Sequence, residues 1–314
     1  MKLSELIAYR NYLEITSAIS VGQSADMDLA KILYLVENNP VQVGQFNYQL
    51  RAQHQIIQQS FIDFEHQLTQ LKIEIAKLIA IAEKPWFLES YRLYEEEMCN
   101  ESTEYILNRR SVITSETEMT LRSRILSHAS WQYPGMIIRP GLESFINDMV
   151  AYDPLYLVDQ THDLLKPAMS LFSEQYQQRL RPYVIEETLS QDILYKIPND
   201  QLGMCLVYNF FNFRPFEMIR KYLIEIYQKL RPGGILILTF NDCDRSGAVQ
   251  LVEQHFACYT PGYLVYELIR SIGYELMFTW NDGGPSTWVE LKRPGNLTTL
   301  RGGQTLAKIV AKSK

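Results

Sequence analysis

The chain has 314 residues, 46% hydrophobic and 21% charged, which excludes disordered and fibrous classes and allows one large domain or two ordinary ones. Its net charge of −6 argues against a whole-protein electrostatic grip on nucleic acid, which needs a positive face, so nucleic acid is not an expected partner. No apolar run approaches the ~18 residues of a membrane-spanning helix, and the start, MKLSELIAYRNYLEI, lacks the features of a secretion signal; no membrane contact and a cytoplasmic, intracellular location are expected.

Residues 1–130 read as helical throughout. From Leu50, apolar positions recur at spacings of three and four: Leu50, Ile57, Phe64, Leu71 and Leu78, interleaved with His54, Phe61, Leu68, Ile75 and Ala82. About four heptads run without Pro or Gly between Phe46 and Lys84, which predicts a long, coiled-coil-like helix that cannot bury its seam alone. The partner is either a neighbouring helix of the same chain, such as residues 27–37 or 91–107, or another chain. The second choice makes the protein a homo-oligomer, or places a protein partner on these helices. Lys84-Pro85 ends the long helix, and Thr114 or Ser115 caps a further one that ends near Ser130.

From Gly135 the period changes. Short apolar runs, GMII, PLYLVD, YVIEE, MCLVYNF and GGILILTF, alternate with helix-length connections. Two more, YELMFTW and TWVELKR, are separated only by a turn-rich link, which predicts a hairpin. That order implies an α/β fold: a mostly parallel sheet with helices on both faces and an antiparallel strand at its end. The expected division is a helical domain over 1–130, an α/β domain over 131–295 and a basic tail over 296–314. Beyond Glu290 there are six bases and no acid, usually the mark of a solvated tail. The four cysteines, Cys99, Cys205, Cys243 and Cys258, show no CxxC spacing, and neither a disulfide framework nor a metal site is expected.

The α/β part resembles the class I S-adenosylmethionine (SAM)-dependent methyltransferases, whose fold is a seven-stranded Rossmann-like sheet. Its strongest piece is YLIEIYQKLRPGGILILTF, where a helix runs through Arg231-Pro232-Gly233-Gly234 into a buried strand. The glycines allow positive φ and end the helix, and the proline keeps it from continuing. This piece marks the fold and carries no chemistry.

The resemblance implies SAM as cofactor and assigns positions for it. Asp159, closing the second strand, would take the ribose hydroxyls, with helix capping as its structural alternative. Asp192 would meet the adenine amino group, with Ile193 against the ring face. Asn209 to Asn212 would border the methyl-transfer site, although NFFN lacks both prolines of the enzymes that methylate nucleic-acid amino groups. The segment VEQHFACYTPGYLVYELIR after the fifth strand could cap the cleft, with His255, Tyr259 or Tyr263 near a substrate.

The cofactor loop departs from the family. In MIIRPGLESF only Gly141 of the three usual glycines is present; Arg139 stands at the first and Glu143 at the third. Those glycines let backbone approach the ligand, so an arginine there creates a steric conflict. Three readings are open. Arg139 and Glu143 could grasp the ends of SAM's methionine part, they could pair with each other in a closed pocket, or the site could take a different nucleotide-like ligand. A helical front joined to such a domain is also similar to methyltransferase-like proteins of tailed bacteriophages. The sequence therefore supports two functions: a SAM-dependent methyltransferase of unknown acceptor, or an inactive structural or assembly protein such as a virion component.

Overall fold

The computed structural model describes residues 2–26, 44–98, 113–141, 144–281 and 283–295. Contacts divide the chain into two compact units, Met1–Lys84 and Pro85–Lys314. The strands begin at Gly135, near where the hydrophobic period changes, while the contact division places the helices that follow Pro85 with the sheet. The expected basic tail, 296–314, lies outside the described residues.

The first unit pairs α1 (Leu3–Asp26) with α2 (Gly44–Ala82). At 39 residues, α2 is about 58 Å long. Leu68, Ile75 and Ile79 of α2 are buried, as are Leu3, Leu6, Ile7 and Leu13 of α1. So α1, which the sequence reading had not considered as a partner, packs on α2 within the chain. Part of the predicted seam is left open: Phe61, Phe64 and Leu78 are exposed by 37%, 43% and 46%. The positions Leu50, His54 and Ile57, the segment 27–37 and part of 91–107 fall outside the residues or side chains described.

In the second unit, α3 (Lys84–Leu93) runs into one π-helical turn, Tyr94–Met98, and α4 (Ser115–Ser127) precedes the sheet. Thr114 caps α4, its hydroxyl accepting from the Thr117 amide, and two acids lie in the first turn, where the helix dipole favours them. The sheet comprises β1 (Gly135–Ile138), β2 (Leu155–Asp159), β3 (Leu180–Val184), β4 (Leu202–Val207), β5 (Leu230–Asn241), β6 (Glu275–Trp280) and β7 (Ser286–Lys292). Its order is β3-β2-β1-β4-β5-β7-β6. The first five strands are parallel, and β7 runs antiparallel between β5 and β6. This is the seven-stranded, mostly parallel Rossmann-like fold that the resemblance implied.

Strands β1, β2 and β4 are buried along their whole length, which explains their unbroken apolar runs. Two cores lie on the two faces. One packs α7 (Phe216–Lys229) and α9 (Gly262–Ile272) and includes Cys205; the other packs Leu121 and Ile125 of α4. At the α7–β5 junction, Gly233 has φ 81°, and a Cβ on Gly234 would stand 2.8 Å from the Leu202 carbonyl oxygen. The Pro-Gly-Gly turn is thus required by close strand packing.

One strand differs from the sequence reading: β3 begins and ends three residues earlier than YVIEE suggests, leaving Glu187 beyond its end. Between β2 and β3 the chain forms α5 (His162–Ser170), which contains Pro167, and the short α6 (Glu174–Gln177). The remaining helix, α8 (Ser246–Glu253), follows β5. Helix α4 is fastened to the sheet by Glu290, a fully buried residue in the middle of β7. Its carboxylate accepts from the Arg124 guanidinium at 2.5 and 2.6 Å and lies 2.9 Å from His128 Nε2.

Candidate functional site

The carboxyl ends of parallel strands are where open α/β sheets place their ligands. Here that edge carries Arg139 directly after β1, Asp159 as the last residue of β2, Glu187 after β3, and Asn209 and Phe210 after β4.

Arg139 is only 4% exposed and has φ 53°. Its amide continues the ladder by donating to the Val158 carbonyl at 2.8 Å. Positive φ is rare for a residue with a Cβ, and here it turns the chain sharply after the strand. Gly141 follows at φ 62°. The loop thus keeps two left-handed turns although only one is glycine. The Arg139 guanidinium lies 3.7 Å from Asp159 Oδ1, donates to Gln160 Oε1 at 3.4 Å and stands 4.9 Å over the Phe210 ring. Asp159 Oδ1 also accepts from the Gln160 amide at 2.7 Å.

A second buried pair adjoins the first. Arg214 Nε donates to Glu187 Oε1 at 2.8 Å, and both side chains are about 99% or more buried. The Arg214 guanidinium stands 4.2 Å from the Phe210 ring, so that one ring carries two cations. Tyr222 donates to Glu187 Oε1 at 2.6 Å, while Tyr94 (at 3.0 Å) and the Gln160 amide group donate to Oε2. Burial pushes the Glu187 carboxyl up, but the Arg214 charge and hydrogen bond, the Tyr222 hydroxyl and the Arg139 charge outweigh it and hold the group below the usual carboxylate range. Burial, and then the Glu187 charge, push the Tyr222 phenol far above its ordinary value. The Cys205 and Cys243 thiols are also driven up by burial. Neither is a thiolate at neutral pH, so neither is an activated nucleophile.

The structure therefore gathers Arg139, Asp159 and the Asn209-Phe210 turn at one edge. Asn209 has φ 47°, takes a hydrogen bond from Asn212 Nδ2 at 3.1 Å and donates its amide to Thr239 Oγ1 at 3.0 Å. Glu143, suggested as Arg139's partner, lies outside the described residues; among those described, the acid beside Arg139 is Asp159. Asp192 is exposed and lines a surface groove beside α7 with Glu217, Arg220 and Lys221. Ile193 is buried in the core, its amide donating to Glu225 on α7. Tyr259 is buried against Phe87, and the side chains of Tyr263 and His255 are largely solvent-facing.

Sequence reading missed Glu187, Arg214 and Tyr94. A usable signal existed for Arg214. It is a lone charge in FFNFRPF, and an arginine in so apolar a stretch needs a buried counter-charge.

No family model matches the chain, and no curated protein is similar to it. Among solved structures, a possible exported protein of Bordetella parapertussis is similar at 13% identity, over 70% of this chain and 88% of that one, with a TM-score of 0.47. A SAM-dependent methyltransferase of Mesorhizobium loti is similar at 10% identity over 56% and 97% (TM-score 0.44). Geranyl diphosphate C-methyltransferase of Streptomyces coelicolor is similar at 8% identity over 62% and 85% (TM-score 0.45). Among the described residues no helix is long and apolar enough to cross a membrane.

Proposed function

We propose that this chain keeps the methyltransferase fold without methyl transfer and serves as a structural or assembly protein, of the kind a phage virion or assembly pathway uses. The observation that carries this reading is the buried Arg139 side chain, which lies against Asp159 and Phe210 where the family's glycine loop would leave room for SAM. Asp159, the ribose-position acid, is thereby engaged by the chain itself. Self-association through the α1–α2 unit fits this role, supported by the exposed Phe61, Phe64 and Leu78.

One observation favours a second reading, a SAM-binding enzyme. Acids stand at the end of β2 and just beyond β3, both at the carboxyl edge, where a nucleoside offers hydroxyl and amino donors. In that reading Asp159 holds the ribose, and Arg139 and Gln160 must turn away to admit it. The set fits SAM in donor chemistry but not in its present packing. Calorimetric titration with S-adenosylhomocysteine separates the two. The first reading expects no heat at high micromolar ligand with folded protein. Saturable binding that Asp159→Ala abolishes would overturn it.

A further inference from the structure

The segment that opens the second unit lies across the carboxyl edge, and it is fastened there at two places. At its far end the π-helical turn delivers Tyr94, which is 6% exposed, hydrogen-bonds Glu187 Oε2 at 3.0 Å and has the Arg214 guanidinium 5.4 Å from its ring. A π turn holds an extra residue per hydrogen-bonded ring, which re-aims side chains relative to the helix before it. Nearer its start, Ser90 accepts from the Tyr259 amide at 2.7 Å, and Phe87 meets the Tyr259 ring edge-on at 5.0 Å. Both fasteners hold segments at the sheet's carboxyl edge, one after β3 and the other after α8.

We propose that residues 85–98 are a strap over the carboxyl edge, with the Tyr94 hydroxyl as the latch that keeps the Arg214–Glu187 pair closed. Releasing the latch is the step that would open the edge to a donor-bearing, nucleoside-like ligand. The inference rests on the closed-edge reading of the site and names what holds it closed. Tyr94 is a positioning residue: it acts through Glu187 and touches no ligand.

The test is hydrogen exchange with mass-spectrometric readout on the full-length protein, comparing wild type with Tyr94→Phe and Ser90→Ala. Tyr94→Phe removes one oxygen and keeps the ring. Exchange over 86–98 and 185–188 should rise about tenfold, the factor that one lost hydrogen bond to a charged group carries, while β4 and β5 stay protected. Ser90→Ala should raise exchange over 86–98 and 257–260. Unchanged exchange at 185–188 in Tyr94→Phe would overturn the latch. A rise spread over the whole sheet would also overturn it, since Tyr94 would then be ordinary core. Should Tyr94→Phe fail to fold, Ser90→Ala alone decides whether the strap opens as a unit. Calorimetry of the same samples with S-adenosylhomocysteine keeps the two claims apart: wild-type binding would defeat the closed-edge reading and leave the exchange result standing.

Discussion

Replacing Arg139 with glycine tests the edge most directly, because opposing terms can be set against each other. The change removes a cation packed on Asp159 and Phe210, and losing one member of a fully buried pair costs about 3–5 kcal/mol. The 3.7 Å separation and the surviving bond from the Gln160 amide to Asp159 put the loss toward the lower end. Glycine also relieves the positive φ, worth about 1 kcal/mol, but loosens the unfolded chain by a similar amount. The net expectation is roughly 3 kcal/mol, or about 6–12 °C in melting temperature for a unit of this size. Thermal melting monitored by circular dichroism reads it. The same variant puts a glycine where the resembled family has one, so under the proposed reading S-adenosylhomocysteine should raise its melting temperature and leave the wild type unmoved. A ligand present at a hundred times its Kd stabilises by about 2.7 kcal/mol, which is readily seen. An equal ligand shift in both proteins, or a variant as stable as wild type without ligand, would refute the idea that Arg139 fills the place.

Three further outcomes are expected. Burial raises the Glu290 carboxyl, but His128 and Arg124 outweigh it and hold the group below its ordinary 4.5. Its contribution is therefore complete above that pH and is lost as pH falls through the lower folded value. Urea midpoints should drop in that acid range, and Glu290→Gln should flatten the drop; an unchanged acid limb would contradict the pairing. Gly262→Ala would place a methyl against Asp242 and 2.8 Å from Asp244 Oδ2, so melting should fall by several degrees, about 1–3 kcal/mol of crowding at a helix start. Phe61→Ser with Phe64→Ser should shift sedimentation toward smaller species at unchanged helicity, whereas Leu68→Asp should reduce helicity by breaking the α1–α2 contact; a wild type already monomeric would remove the self-association proposal.

Most of the sheet could be read from sequence because burial on both faces writes strands as continuous apolar runs, as in LYLVD and GMCLV. The hairpin was plain from NDGGPS, and the helix-to-strand junction from its Pro-Gly-Gly. The site was less legible. Asp159 and Arg139 could be placed by their offsets from strands, but the pairing of Glu187 with Arg214 joins residues 27 apart on either side of β4, both in loops that no periodicity describes. Asp192 was assigned by the family resemblance, and the turn captured by Glu225 puts it beside α7 on the surface. The α1 partner was overlooked because a helix of weak amphipathic pattern gives little sign of which neighbour it will meet.

The clasp between Arg124 and Glu290 spans 166 residues of sequence. Helix α4 is made before the sheet, yet its anchoring carboxylate belongs to β7, the seventh of the described strands in chain order. Until that strand inserts between β5 and β6, the sheet has an open inner edge and α4 has no ionic anchor on it. Completion of the β6–β7 hairpin is therefore expected to come before α4 gains this anchor. A chain stopped before Glu290 should present unpaired strand backbone to solvent, and should aggregate rather than form a smaller version of the same domain.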